Sequence, residues 1–249
     1  MLDATPCDAP ALTAGTLLDG RVAYCQPRVG YRTGIEPVLL AACVPAWPGQ
    51  RVVEAGTGAG AGLLCLAARV GRLDGLGIER DPAMATLATA NVAANGGGLR
   101  ILAVDLGAWQ PDGEYHHVLA NPPWHDAQST PSPQPGRRQA KVAPPGTLQG
   151  WVQAMVGGLC RRGTLSLVIQ AARLSEAMVA LAAAGCGEAA ILPLWPHAGQ
   201  PARLVLLQGV RDSRAPARML PGLVLHEADG SYTSAVQAVL RGGAALDMR

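Results

Sequence analysis

Phenylalanine is absent from the 249 residues, all aromatics together make up 4%, and only 15% of the chain is charged. This alanine-, glycine- and proline-rich usage reads as a compositional bias without functional content. Hydrophobic residues reach 49%, yet no run attains the roughly 18 uninterrupted apolar residues of a membrane span. Met1-Leu2-Asp3-Ala4-Thr5-Pro6 lacks the basic start and apolar stretch of a signal peptide, so the expected location is the cytoplasm. Six cysteines, at positions 7, 25, 43, 65, 160 and 186, include no C-x-x-C pair and no histidine at ligand spacing; neither disulfides nor a metal site are expected. A net charge of +2 is too small to establish nucleic-acid binding by itself. No internal repeat, second catalytic domain or sign of an obligate protein partner is visible.

What is present is alternation. Short apolar runs at 51–54, 75–79, 100–104, 116–120, 164–170, 189–195 and 203–210 read as strands. Helical stretches at 35–44, 61–70, 82–95, 148–160, 174–184 and 234–241 separate or flank them. This is the grammar of an α/β fold with a doubly wound, seven-stranded, mostly parallel sheet. Asp81-Pro82 supplies an N-cap and first turn for one helix, and Asn95-Gly96 its end. Residues 1–33 are expected to form a short N-terminal extension, poorly ordered to residue 20 and then a hairpin or flap over 21–33; residues 34–249 form the main domain. Gly222 to Thr233 reads as a hairpin turning at Asp229-Gly230. The proline-rich stretch 125–147 is a loop and a candidate lid, and His116 and His117 read as strand-edge residues.

Four polar residues fall at the ends of successive strands, where open α/β sheets bind ligands: Glu54, Glu79, Asp105 and Asn121. Gly56, Gly58 and Gly60 follow the first strand and permit a tight turn with close backbone approach to a ligand. Glu79, about twenty residues on, is placed to grip a ribose diol. A dinucleotide and S-adenosylmethionine both fit this much. Asp105 favours the second, because it stands where the adenine amino group of that cofactor is usually met.

Asn121-Pro122-Pro123-Trp124 carries the reactive chemistry. An exocyclic amino group on adenine is a poor nucleophile because its lone pair is delocalised into the ring. Two acceptors aimed at its N–H groups localise that pair, and Asn121 offers a side-chain carbonyl while Pro122 offers a main-chain one whose direction its ring helps to fix. Trp124 supplies a flat face for the target base. Taken alone, the tetrapeptide reads equally well as a turn. Arg137, Arg138 and Lys141 behind it, and Arg32 before the main domain, are candidate phosphate contacts; a second group, Arg203, Arg211, Arg214 and Arg218, flanks the last strands.

The segment Tyr31-Arg32-Thr33-Gly34-Ile35-Glu36-Pro37-Val38-Leu39-Leu40, the Glu54–Gly60 loop, Glu79, Asp105, Asn121 to Trp124, and the stretch Leu220 to Thr233 together resemble the bacterial tRNA1(Val) adenine-37 N6-methyltransferase family. That family lies within the Rossmann-like, S-adenosylmethionine-dependent amino-methyltransferases. The resemblance implies tRNA as substrate, S-adenosylmethionine as cofactor without a metal, and Thr33 and Gly34 as further cofactor contacts. The sequence departs from the family where Gly34-Ile35-Glu36-Pro37 replaces a common G-T-D-A, and where Trp124 replaces Tyr or Phe. Other RNA or DNA N6-adenine or N4-cytosine methylation, and protein glutamine N5-methylation, share the same motif logic. The last is disfavoured because the glycine loop begins at residue 56, leaving no room for the long helical domain those enzymes carry. A silent cofactor-binding RNA subunit is the non-enzymatic alternative.

Overall fold

The chain enters the fold through a hairpin that begins earlier than its composition suggests. In the computed structural model, which describes residues 11–30, 32–122 and 147–249, β1 (Leu12–Leu17) pairs antiparallel with β2 (Val22–Pro27). The stretch 11–20 is therefore ordered, and the hairpin spans 12–27 instead of 21–33. Its turn takes Leu18, Asp19 and Gly20 through positive φ, which is costly for Leu. Leu18 is buried against α1 (Glu36–Cys43) and its neighbours, and that packing offsets the strain.

After α1, whose first turn holds Pro37, the strands β3 (Arg51–Ala55), β4 (Asp74–Glu79), β5 (Leu99–Ala103), β6 (Tyr115–Ala120), β7 (Leu159–Gln170), β8 (Cys186–Trp195) and β9 (Leu204–Arg211) form one sheet. Their order is β8-β9-β7-β6-β3-β4-β5. Only β9 runs against the others, so the expected seven-stranded, mostly parallel sheet is present. Two-residue strands, β10 (Arg218–Met219) and β11 (Leu223–Val224), extend it beside β8. Between their pairing positions on β8 lies Pro193, which has no N–H to give a neighbouring strand.

Side chains alternate across the sheet as a period of two requires. Val52 and Leu119 face α1 and α2 (Ala61–Val70), together with α3 (Pro82–Ala94) and α6 (Ser234–Leu240). Val53, Val118 and Ala120 face α4 (Thr147–Gly157) and α5 (Leu174–Ala183).

Three further expectations change. β7 starts at Leu159, not 164, because Arg162-Gly163 is a bulge within the strand: the β6–β7 register slips there and Arg162 has a positive φ. The 222–233 hairpin reduces to one His226–Tyr232 bridge around a turn, since Leu223–Val224 pairs with β8 instead. His117 is a buried residue of a central strand, not an edge residue. Its ring meets Thr164 Oγ1 at 2.8 Å and Gln50 Oε1 at 3.0 Å, and burial pushes its pKa down to about 4.

The cysteines divide. Cys43, Cys65 and Cys186 are free and buried, with thiols pushed up by burial to about 12, 12 and 11; they pack as small hydrophobes. Cys25 is disulfide-bonded, against the expectation of none. Motif spacing detects metal sites, whereas a disulfide needs only two Cα atoms brought within reach by the fold.

Candidate active site

The register of the parallel strands sets the site. Ala55 lies opposite Ile78 on one side and Ala120 on the other, and Glu79 lies opposite Ala103. Gly56, Glu79 and Asn121 consequently stand side by side at the same sheet edge, with Asp105 just beyond the end of β5. At roughly 4.8 Å per strand spacing, Asn121 and Glu79 are about 10 Å apart along that edge.

The glycine loop between β3 and α2 is built from its conformation. Gly56, Gly58 and Gly60 have φ of 68°, 56° and 90°, a region costly for residues with a Cβ. A Cβ on Gly58 would find only Met84 Cε, at 3.9 Å, so one side of the loop is open to a ligand. A Cβ on Gly56 would come within 3.0 Å of Trp151; the ring, carried on α4, packs directly on the loop. Nothing in the sequence distinguished Trp151 from a core filler.

The four strand-end polars do different work. Glu54 is only 3% exposed, and its carboxylate accepts hydrogen bonds from Thr57 Oγ1 at 2.5 Å and from the Leu63 N–H at 2.8 Å. Gly60, the N-cap of α2, has no side chain to satisfy the first-turn donors. Glu54 does this from the neighbouring strand, and so holds the loop in shape from beneath. Glu79 is half-buried and receives the Gly58 N–H through one oxygen and the Asp81 N–H through the other, each at 2.9 Å. Each oxygen keeps a second lone pair for a further donor. Asp105 is exposed and accepts from the Gly107 N–H at 2.8 Å. Asn121 is half-buried, and among the described residues its side chain makes no hydrogen bond; Pro122 beside it is buried.

Thr33 is spent locally. Its hydroxyl meets Tyr24 at 2.7 Å and its N–H donates to Gln26 Oε1, which ties the segment before α1 to β2. Gly34 and Arg32 are exposed. Tyr31, Pro123, Trp124, Arg137, Arg138, Lys141 and the suggested 125–147 lid, Thr147 apart, lie outside the described residues. Of the second arginine group, Arg211 donates to the Val156 and Leu159 carbonyls and Arg218 to the Met248 carbonyl, leaving Arg203 and Arg214 exposed.

Sequence reasoning missed the asparagines that join the hairpin to this site. Asn91 is 0% exposed; its amide donates to the Cys25 and Ala59 carbonyls and accepts from the Cys25 N–H, all at 2.9 Å. One turn later Asn95 does the same for both backbone groups of Ala23. The pair meets β2 as a neighbouring strand would, and Asn91 reaches the glycine loop at Ala59. The available signal was the spacing: Asn91 lies in the helix interior, which gains nothing from it, four residues before the Asn95 that ends the helix.

Residues 34–134 match the family model described as methyltransferase small domain. Across 93% of this chain and 95% of the other, the sequence is 28% identical to the tRNA1(Val) (adenine(37)-N6)-methyltransferase of Dickeya chrysanthemi (strain Ech1591). The chain is a methyltransferase. The same fold appears in a predicted O-methyltransferase, Atu636, from Agrobacterium tumefaciens, with a TM-score of 0.71, 24% identity, and coverage of 85% of this chain and 98% of that one. The ribosomal protein L11 methylase of Lactobacillus delbrueckii subsp. bulgaricus is more distant, with a TM-score of 0.55, 18% identity, and coverage of 76% and 84%. Among the described residues of this methyltransferase, no helix is long and apolar enough to cross a membrane.

Burial of Glu54 gives the methyltransferase a pH-dependent loop. Desolvation raises its pKa from 4.5 to about 7, against the opposing pull of its two hydrogen bonds. The folded state thus holds a proton more tightly than the unfolded one. The stabilisation is complete below pH 4.5 and is lost as pH rises through about 7, a change on the order of 3 kcal/mol. His117, depressed to about 4, acts in the opposite sense between roughly pH 4 and 6.5. The difference between wild type and Glu54→Gln isolates the carboxyl. Urea midpoints at pH 5 and pH 8 are expected to show Glu54→Gln gaining relative to wild type at the higher pH; a pH-independent difference would mean that Glu54 titrates normally.

Proposed function

We propose that this methyltransferase acts on an exocyclic amino group, N6 of an adenine in tRNA, within the cytoplasm. The observation that carries the proposal is the place of Asn121-Pro122, next in register to the glycine loop and one strand further from Glu79. An amine acceptor held there adjoins the cofactor site.

The residues present suit the cofactor: an open glycine turn, a half-buried carboxylate at the end of β4, and an exposed carboxylate beyond β5. Gly56 to Gly60 would receive its amino-acid end, Glu79 its ribose and Asp105 its adenine. When bound, S-adenosylmethionine supplies an electrophilic methyl group. The protein's own contribution lies at the amine. The Asn121 carboxamide oxygen and the Pro122 carbonyl each accept one N–H, drawing the nitrogen out of conjugation and aiming its lone pair away from both acceptors. Because Asn121 has no competing partner among the described residues, its oxygen is available without first breaking a bond. Trp124 would stack the flipped base, and Arg137, Arg138, Lys141 and Arg32 would take backbone phosphates. The position named for the Dickeya chrysanthemi relative, adenine 37 of tRNA1(Val), is the first target to test.

The test is a labelled methyl-transfer assay on unmodified tRNA, DNA and bulk protein, with the product nucleosides separated. Label in N6-methyladenosine from tRNA is expected. Label confined to DNA or to protein glutamine would overturn the proposal.

A further inference from the structure

Beyond the end of β8, on the edge that holds Asn121, three rings lie in a row. His226 and Tyr232 stack, with centroids 5.0 Å apart at an interplanar angle of 30°, and His197 adjoins His226 at 5.6 Å, tilted by 40°. We infer that this stack, together with Arg203, is a second contact surface for the substrate, binding an unpaired base of the RNA that flanks the methylated adenine. The inference rests on the tRNA reading above and adds to it a site outside the catalytic tetrapeptide.

Position comes first. β6 is parallel to β7, and β9 is antiparallel to both β7 and β8, so β8 runs with β6. His197 and His226 therefore lie at the same edge as Asn121, three strands along, at about 15 Å. A polynucleotide whose target base enters the Asn121 site has its neighbouring nucleotides within that range. Arg203 precedes β9, between the two. Its side chain is exposed and has no hydrogen bond or ion pair among the described residues, so its charge is available to a phosphate.

The stack is also held more rigidly than its exposure requires. His226 donates from Nδ1 to the Pro196 carbonyl, and its N–H bonds the same oxygen. The turn after it closes through Glu227 N–H to the Ser231 carbonyl and through Asp229, which accepts from the Ser231 N–H and hydroxyl. The Tyr232 carbonyl accepts from Gln237 Nε2, and the Thr233 N–H returns to the Leu225 carbonyl. All of this fixes a tyrosine that remains 36% exposed, while Leu225 and Val236 do the burying in this segment. A preorganised ring at the end of a stack spares a base the cost of ordering its partner, and base stacking tolerates any sequence because every base has a π-face.

Wild type, Tyr232→Ala, Tyr232→Phe, His197→Ala and Arg203→Ala are compared in steady-state methylation of unmodified tRNA, with cofactor affinity by calorimetry and Tm measured in parallel. Tyr232→Ala is expected to raise KM for tRNA about tenfold, with kcat and cofactor affinity unchanged, and Tyr232→Phe to restore it. His197→Ala is expected to raise KM by a smaller factor, and Arg203→Ala to lessen the salt dependence of tRNA affinity by about one phosphate contact. A wild-type KM in Tyr232→Ala overturns the inference, as does a loss that tracks Tm and cofactor affinity, the signature of a staple for the C-terminal segment. Failure of the wild-type enzyme to act on tRNA is read before any variant, and removes the tRNA proposal itself.

Discussion

Replacing Asn121 with alanine is expected to lower kcat by a factor on the order of 10² to 10³, while S-adenosylmethionine affinity stays within a few-fold. The asymmetry follows from where the side chain stands. Cofactor contacts are assigned to the glycine loop, Glu79 and Asp105, none of which bonds Asn121. The carboxamide has no structural partner among the described residues either, so its removal leaves no buried group unsatisfied and the fold intact. What disappears is one of two acceptors for the amine, an interaction worth most as the nitrogen becomes tetrahedral. Asn121→Asp tests the same point from the other side, because it keeps the acceptor and discards the donor half of the amide. Single-turnover kinetics with calorimetry checks both; turnover near wild type in the alanine variant would place the amine acceptor elsewhere.

Asn91→Ala carries the largest expected cost in stability, about 3–5 kcal/mol, because it strands three buried backbone groups at once. The Cys25 N–H and carbonyl lose their partner, as does the Ala59 carbonyl. The last of these lies in the glycine loop, so cofactor affinity is expected to fall with stability, unlike in the Asn121 variant. Urea denaturation gives the first quantity and calorimetry the second. An unchanged midpoint would show that water replaces the amide at no cost, and that packing and the Asn95–Ala23 bonds suffice to hold the hairpin.

The contrast between the two asparagines shows what the chain discloses in one dimension. Strand ends were legible because each closes an apolar run with a polar residue, as at Ile78-Glu79 and Ala120-Asn121, and the parallel order then brings them into one row. Glu54 was read as one of that row, but its role as a cap for α2 depends on Gly60 having no side chain to do the same, which appears only once strand and helix are in contact. Asn91 was invisible for a related reason, and Asn95 was legible only as the end of its helix. Their partners are backbone atoms some seventy residues away, and backbone atoms leave no mark on composition. The same blindness hid β1, whose ladder with β2 needs no particular side chains, and the burial of His117, which becomes intelligible only when β6 is known to be central and Thr164 and Gln50 are found beside the ring.

Pro193 has a consequence for the molecule among its own copies. An outer strand with a continuous row of free amides and carbonyls is a template on which another chain can add itself, and long sheets with such margins are prone to zip together. Here the margin of β8 is covered at two short places by β10 and β11 and carries, between them, the one residue type that cannot donate. A second chain would find no uninterrupted ladder to extend. Past that break, the segment from Leu220 to Tyr232 runs on to the end of β8 and sets His226 and Tyr232 on the side of the sheet where Asn121 stands.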